Sequence, residues 1–249
     1  MTTTAEEGLP PTSSQQHVPT INIVHLTPMP IFQQLQIEEA LLRAGSGNWC
    51  LINHGTPPAI VMGLSGKIEE TVAEGVEIPI IRRFSGGGTV VVDEDTLFFT
   101  LIIEGSDLPC DKNPVDVMAW TGRLLSPAFM PQTLRVEEQD YVIDGQKIGG
   151  NAQSFSSSRV LHHTSFLWSW KEEMMNLLKL PTRQPVYRRQ RRHDEFCRKL
   201  SMYFPSKERL LQAIEMSLAG AFVCRVGGRQ QIEEILHRPH RKSLLRIQQ

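Results

Sequence analysis

Three short stretches of this 249-residue sequence combine residue types that chemistry uses. The first is Arg82-Arg83-Phe84-Ser85-Gly86-Gly87-Gly88. Consecutive glycines are costly inside a strand, but they let backbone come close to a ligand and aim N–H groups at an anion. Two arginines and a serine hydroxyl ahead of them point the same way, because a guanidinium grips phosphate or carboxylate with two parallel bonds. A flexible turn with solvated arginines is the plainer alternative; the Arg-Arg-x-Ser before the glycines and the β-branched run after them favour a ligand. The second stretch is Gly145-Gln146-Lys147-Ile148-Gly149-Gly150-Asn151-Ala152-Gln153. Here Lys147 sits on a strand just past a tight turn, on the face opposite Gln146 and Ile148, and the small residues after it leave room. Such a lysine can hold an acyl-phosphate as a point charge without acting as a nucleophile; a surface hairpin lysine is the usual alternative. The third is His162-His163-Thr164-Ser165 in an apolar strand. Neighbouring strand residues face opposite sides, so the two imidazoles do not readily share one metal. One buried, hydrogen-bonded histidine and one exposed histidine is expected, on an equal footing with a ligand contact.

Two resemblances to common phosphate motifs fail. The glycine run opens into Thr89-Val90-Val91-Val92, which favours a strand where a dinucleotide fingerprint needs a helix. Gly63-Leu64-Ser65-Gly66-Lys67 has its glycines too close for a P-loop, and Ile68 stands in the Ser/Thr place, so it reads as an ordinary loop.

The elements that must position these stretches are legible in outline. Residues 21–26 alternate as a strand, and Pro30 opens a helix that runs through Ala44 to a stop at Gly45. Short strands follow at 49–53 and 59–63, then at 78–84, 89–92 and 97–103, with a helix over 115–125. Asp144-Gly145 is a strong hairpin signal between two strands, and residues 160–168 form another. From Lys171 the pattern turns helical: one helix around Met174, Met175 and Leu178, a second over 193–204, and a third capped by Ser206 with Leu210, Leu211, Ile214 and Leu218 on one face. Strands first and helices last predict an α+β fold, a mixed, largely antiparallel sheet flanked by helices, rather than a doubly wound sheet.

Composition removes whole classes. With 40% hydrophobic and 21% charged residues the chain is globular. No apolar run is long enough to span a membrane. A net charge of −1 does not suit a protein that coats nucleic acid. Cys50, Cys110, Cys197 and Cys224 are widely spaced, which fits a reducing compartment better than a disulfide or zinc scaffold. Residues 1–20 read as a disordered tail without secretory or transit character, so a cytoplasmic location is expected, with one domain over 21–249.

The text PIFQQLQIEEALL, RRFSGGGTVVVD, QDYVIDGQKIGGNAQ and LHHTSFLW, in that order and spacing, resembles the lipoate–protein ligase A family within the biotin/lipoate ligase catalytic-domain superfamily. The resemblance implies a two-step reaction: a lipoate or octanoate carboxylate attacks the α-phosphate of ATP, and a lysine of an acceptor domain then takes the acyl group from the adenylate. It implies that Arg83, Ser85 and Gly86, Gly87 and Gly88 line the lipoyl and phosphate pocket, that Lys147 contacts the carboxylate and then the mixed anhydride, and that Asp140 lies near the nucleotide or its Mg²⁺. Gly150, Asn151 and Ala152 would pack around the adenylate, and His163 would brace them. No resident metal is expected beyond the Mg²⁺ that accompanies ATP. The implied partner is the lipoyl acceptor domain of a 2-oxoacid dehydrogenase or a glycine-cleavage protein. The chain stops near the expected end of the catalytic domain, so the C-terminal accessory domain of many such ligases is expected to be absent or supplied as a separate subunit.

Rival functions remain. ATP-independent lipoyl or octanoyl transfer uses a cysteine near the lysine strand, and no cysteine occurs between Cys110 and Cys197, which favours the adenylate. Cys110 reads as incidental, and biotin ligation is a further alternative. A non-catalytic binding protein is the rival from another class: residues 183–209 carry nine Arg/Lys against three acids, with aromatics interleaved. That run reads as a solvated helix face, or as a surface that steers an acidic acceptor domain; nucleic acid is the weaker reading.

Overall fold

The structure, a computed structural model, describes residues 18–248. The expected tail falls mostly on residues 1–17, outside the described residues, and Thr20 already opens the first strand. In chain order the elements are β1 (Thr20–Leu26), α1 (Ile31–Ala44), β2 (Asn48–Asn53), β3 (Ala59–Met62), α2 (Ile68–Thr71), β4 (Ile80–Arg82), β5 (Val90–Val92) and β6 (Thr96–Glu104). There follow α3 (Pro114–Leu125), β7 (Arg135–Glu137), β8 (Asp140–Ile143), β9 (Gln146–Lys147), β10 (Gly149–Phe155), β11 (Arg159–Leu167), α4 (Glu172–Met175) and α5 (His193–Phe196). Last come α6 (Lys207–Ala219), β12 (Val223–Val226), α7 (Arg229–Leu236) and β13 (Leu245–Gln248).

The central sheet has six strands in the order β10-β11-β6-β2-β1-β12. Its first four strands run antiparallel to one another, while β1 runs parallel to both β2 and β12. A four-stranded sheet, β13-β4-β3-β5, and a three-stranded meander, β7-β8-β9, complete the mixed α+β architecture. Period-two alternation sends β6 into two cores. Leu97, Phe99, Leu101 and Ile103 pack under α3 and α6, whereas Phe98 and Ile102 face α1 and the four-stranded sheet. With both faces covered, all nine residues of β11 except the last are buried, polar ones included. The sheet is thus a floor with helices beneath it, and with α1 and a second sheet above it.

Local signals hold where the tertiary contacts agree with them. Asn113 caps α3 through its side-chain oxygen, and Ser206 caps α6 by accepting from the Arg209 N–H. They fail between 171 and 205. The helix around Met174 is a single turn, because Leu177 and Lys179 pair with Ala73 and Thr71. The helix expected over 193–204 also stops after one turn: Cys197 is extended and bridges Lys147, and the Arg198 N–H donates to the Lys147 carbonyl at 2.7 Å. A tertiary bridge overrides helix propensity there. No helix among the described residues is long and apolar enough to cross a membrane.

Candidate functional site

The glycine run lies between β4 and β5 and is built around one arginine. Arg83 is buried, and its Nε and Nη2 donate to the Gly86 carbonyl, its Nη2 also to the Gly88 carbonyl and its Nη1 to Val61. Burial pulls its guanidinium down to about 10, which still leaves it charged. Arg83 curls the loop by its carbonyls and also lines the narrow slot beneath it. The N–H groups of Gly86, Gly87 and Gly88 have no acceptor among the described residues, which is the arrangement an anion needs. Gly87 has a φ of +103°, and a Cβ there would lie 2.7 Å from Arg83 Nη2 and 3.0 Å from the Asn151 carbonyl. Gly86 and Gly88 face open space. The Gly63 loop, read from sequence as ordinary, packs on this run: a Cβ on Gly63 would overlap the Gly87 carbonyl, and Arg82 Nη1 donates to the Leu64 and Gly66 carbonyls.

Lys147 leaves the hairpin whose turn residues Asp144 and Gly145 both have positive φ, as a type I′ turn requires. Its Nζ lies 2.6 Å from Asp140 Oδ1, and Tyr187 Oη donates to Asp140 Oδ2 at 2.8 Å. Burial and the neighbouring carboxylate hold that phenol far above its ordinary range. Asp140 and Lys147 line a cleft of about 270 Å³ together with Lys179, Arg183 and Arg188. One carboxylate among four cations makes the cleft positive.

Under the glycine run lies a second, narrower space. This slot has apolar walls from Ile31, Leu35, Val61, Val92 and Phe98, and a floor of Gly150, Asn151, Ala152, His163 and Ser165. It is closed to about 20 Å³, roughly room for one water. Slot and cleft share Val90, Gly150 and Ser165, so they meet at the β10–β11 pair. A Cβ on Gly150 would press on Val90 Cγ1 at 3.0 Å, closing that junction. Asn151 is held by Thr164 Oγ1, which donates to its Oδ1 at 2.8 Å.

Both histidines are buried, where one was expected to be exposed. The alternation itself holds. His162 faces below the sheet among Tyr141, Gln153 and Thr164, and burial takes its imidazole down to about 3. His163 faces above, with Nδ1 against Glu38 and Thr100.

The sequence missed several residues of the cleft. Arg188 stacks 4.6 Å above the Phe196 ring, and its Nη2 donates to His193 Nδ1 at 3.4 Å. That bond leaves the His193 proton on Nε2, and the ring, on the cleft wall, also interacts with the Lys179 backbone. The segment is anchored by Glu138, whose carboxylate accepts from the Val186 and Tyr187 N–H groups. Part of the run read as a solvated face therefore turns inward. Cys197 also lines the cleft beside Lys147, so the gap in cysteines between 110 and 197 does not keep a thiol out of the site. Burial pushes that thiol up to about 11, the state of an unreactive cysteine. Cys110 is half-buried and lines neither cavity. Only the clustering of Tyr187, Arg188 and Phe196 in a proline-broken run hinted that this stretch was more than surface.

A mixed sheet roofed by a glycine loop, with a closed slot opening into a cationic cleft, is the architecture of the biotin/lipoate protein ligase catalytic-domain superfamily. Within it the chain belongs to the lipoyl protein ligase A/B catalytic domain family, which matches residues 30–213. It is 25% identical over 239 residues to a Plasmodium falciparum protein named inactive lipoate–protein ligase 2, covering 69% of this chain and 61% of that one. It is 30% identical over 128 residues to the lipoate-protein ligase LplJ of Bacillus subtilis, covering 47% of this chain and 36% of that one. The chain thus spans less than two thirds of either relative's length. A bi-partite lipoate protein ligase from Thermoplasma acidophilum shares the fold, with a TM-score of 0.71 at 16% identity, over 88% of this chain and 91% of that one.

Proposed function

We propose that this chain is a lipoate–protein ligase: it activates lipoate or octanoate with ATP to the acyl-adenylate and passes the acyl group to a lysine of a lipoyl acceptor domain. The observation that carries this reading is the junction at Gly150 and Ser165, where an apolar slot meets a cationic cleft beside the Lys147 ammonium. The apolar walls of the slot suit an aliphatic chain once the slot widens from its closed state, and the cleft suits a triphosphate, so the acid's carboxylate and the α-phosphate would meet at their boundary. A carboxylate oxygen attacks the α-phosphorus there, the bond to the bridging oxygen breaks, and pyrophosphate leaves. The protein's work is neutralisation and positioning. Lys147 has two N–H donors left after Asp140 for the carboxylate and then the anhydride. The free N–H groups of Gly86, Gly87 and Gly88 meet phosphate oxygens. In the second step the acceptor amine attacks the acyl carbon, and AMP leaves as that C–O bond breaks.

Among the described residues no three His, Cys, Asp or Glu side chains converge on a metal position. That donor set fits magnesium arriving on ATP as part of the substrate, with Asp140 as its one protein carboxylate and the phosphates supplying the charge neutralised. The acceptor is taken to be the lipoyl domain of a 2-oxoacid dehydrogenase or a glycine-cleavage protein. An accessory chain, as in the bi-partite archaeal relative, is a further partner in this reading.

Lipoate-dependent exchange of pyrophosphate into ATP by the purified chain tests adenylation directly. Exchange supports the reading; its absence, with transfer from supplied lipoyl-AMP intact, would assign the first step elsewhere. Cys197 in the cleft supports one second reading, ATP-independent transfer through a thioester. Its thiol would attack an acyl donor and release the donor's carrier, and the acceptor amine would then displace the thiol.

A further inference from the structure

Ser243 lines neither the slot nor the cleft, yet it makes the tightest polar contact of the C-terminal segment. It lies just ahead of β13, and its N–H donates to both carboxylate oxygens of Glu39 on α1, at 2.9 Å to Oε1 and 3.1 Å to Oε2. Its hydroxyl donates to the same Oε1 at 2.9 Å. Glu39 is 2% exposed, so these charge-assisted bonds are made out of water. One cation serves the pair: Arg43 gives its Nε to Glu39 Oε1 at 3.0 Å and its Nη2 to Ser243 Oγ at 3.3 Å. The rest of the anchorage of β13 is thin. It is an edge strand whose ladder to β4 shifts register between Arg246 and Gln248, and its Leu245 and Ile247 stay largely exposed. Half-buried Leu244 and the Arg246 guanidinium, 4.6 Å above the Phe32 ring, add to it. The contact at Ser243 is therefore a main tether of the strand.

The surrounding sequence is Arg238-Pro239-His240-Arg241-Lys242-Ser243-Leu244-Leu245-Arg246. Arg238, Arg241, Lys242 and Arg246 are exposed, and residues 239–244 form neither helix nor strand. A serine at the end of an irregular, basic run is what a kinase groove lined with carboxylates accepts. We propose that Ser243 is a phosphorylation site for a serine kinase that selects basic substrates, and that the phosphate releases β13 from β4. The Ser243 hydroxyl oxygen attacks the γ-phosphorus of the kinase's ATP, the bond to the β–γ bridging oxygen breaks, ADP leaves, and the hydroxyl proton passes to the kinase's base. The hydroxyl is half-buried against Glu39, so the kinase takes it when the segment opens locally. The modified segment cannot close again. Its ester oxygen no longer donates to Glu39, and a charge of about −1.5 to −2 stands against a buried carboxylate. Arg43 offers both anions a single positive charge, too little for the pair. With β13 gone, β4 becomes a sheet edge one residue before Arg83, and the strand that leads into the glycine loop loses its outer partner.

Incubating the full chain with ATP and the catalytic domain of protein kinase C, a kinase selective for basic substrates, tests this. Mass mapping should place a phosphate on Ser243. Amide hydrogen exchange over residues 80–82 and 245–248 should then quicken about tenfold or more, the loss of one charge-assisted bond. Ser243→Asp should reproduce that rise, while Ser243→Ala, which drops one bond without adding charge, should give a smaller one. Adding Glu39→Gln to Ser243→Asp removes the repulsion and should restore slow exchange, which a general loss of fold would not allow. No phosphate on Ser243, a phosphorylated chain that exchanges at the unmodified rate, or equal rates in Ser243→Asp and Ser243→Ala overturns the inference. None of these readouts uses acyl transfer, so failure here and failure of the proposed function are seen separately.

Discussion

Replacing Lys147 by methionine separates the cost of breaking an ion pair from the cost of losing a catalytic charge. The pair with Asp140 is 2.6 Å long, and the two side chains are 22% and 12% exposed. It lies between exposed pairs, worth about 0–1 kcal/mol, and buried pairs, whose breakage costs about 3–5 kcal/mol. A stability loss of about 2 kcal/mol is expected, since Asp140 keeps the Tyr187 hydroxyl and some solvent. The loss in pyrophosphate exchange should be larger, about 10²–10³-fold, the usual effect of removing one preorganised charge-stabilising group. The double variant Lys147→Met/Asp140→Asn decides between the two effects. Removing the stranded carboxylate charge should return most of the stability, read from the urea midpoint, and none of the exchange. Exchange within about threefold of wild type in the single variant, or its recovery in the double, would refute the placement of the reaction at Lys147.

Gly87→Ala should cost about 1–3 kcal/mol of stability from its +103° φ and the crowding of Arg83, whereas Gly86→Ala, with nothing near its Cβ, should unfold at the wild-type urea concentration; equal midpoints would refute this account of the loop. His162 should make the fold acid-sensitive. Its unfolded imidazole takes up a proton near pH 6.5, but the folded one resists until about pH 3, so its contribution is intact above pH 6.5 and falls with pH across that window. The urea-derived stability should drop by up to about 1.4 kcal/mol per pH unit there, and His162→Gln should flatten the slope. Cys197→Ser should keep exchange and transfer within about threefold, as should Cys110→Ser, and wild-type Cys197 should alkylate slowly at neutral pH; more than about tenfold loss on Cys197→Ser would revive the thioester route.

The elements read best from sequence are those whose local signal and tertiary role coincide. The Asp144-Gly145 turn, the Ser206 cap and the alternating runs of β6 and β11 need only local chemistry to be recognised. The two burial states of His162 and His163 were not legible for a related reason. Alternation says that they face opposite sides, but only the fold says that both sides are covered, by α3 below and α1 above. Strands β12 and β13 escaped notice because they are four residues each, lie at sheet edges and are largely exposed, so they give too short a signal to read as strands. The failure over 171–205 has another cause: this stretch takes its shape from what it touches, namely Thr71, Ala73, Glu138 and Lys147.

Those contacts alter which part of the chain makes the site. Read linearly, the chemistry lies between Arg82 and Ser165, and the last third is helical support. In space, residues 186–197 form one wall of the cleft, bringing Tyr187 to Asp140 and Cys197 to Lys147. The C-terminal strand reaches further still. β13 pairs antiparallel with β4, Leu245 against Arg82, one residue before the arginine that curls the glycine loop. Ser243, just ahead of β13, donates from its N–H and hydroxyl to the buried Glu39 carboxylate on α1, next to Glu38. The glycine loop with its free N–H groups and the helix whose Glu38 holds His163 are thereby tied to the same C-terminal segment. A charge or insertion near Ser243 therefore reaches the slot and the glycine loop together, although Arg83, His163 and Ser243 follow one another at intervals of 80 residues in the sequence. Coupling of that kind follows from pairing a late strand to the edge that carries the site, and no inspection of the motifs alone would disclose it.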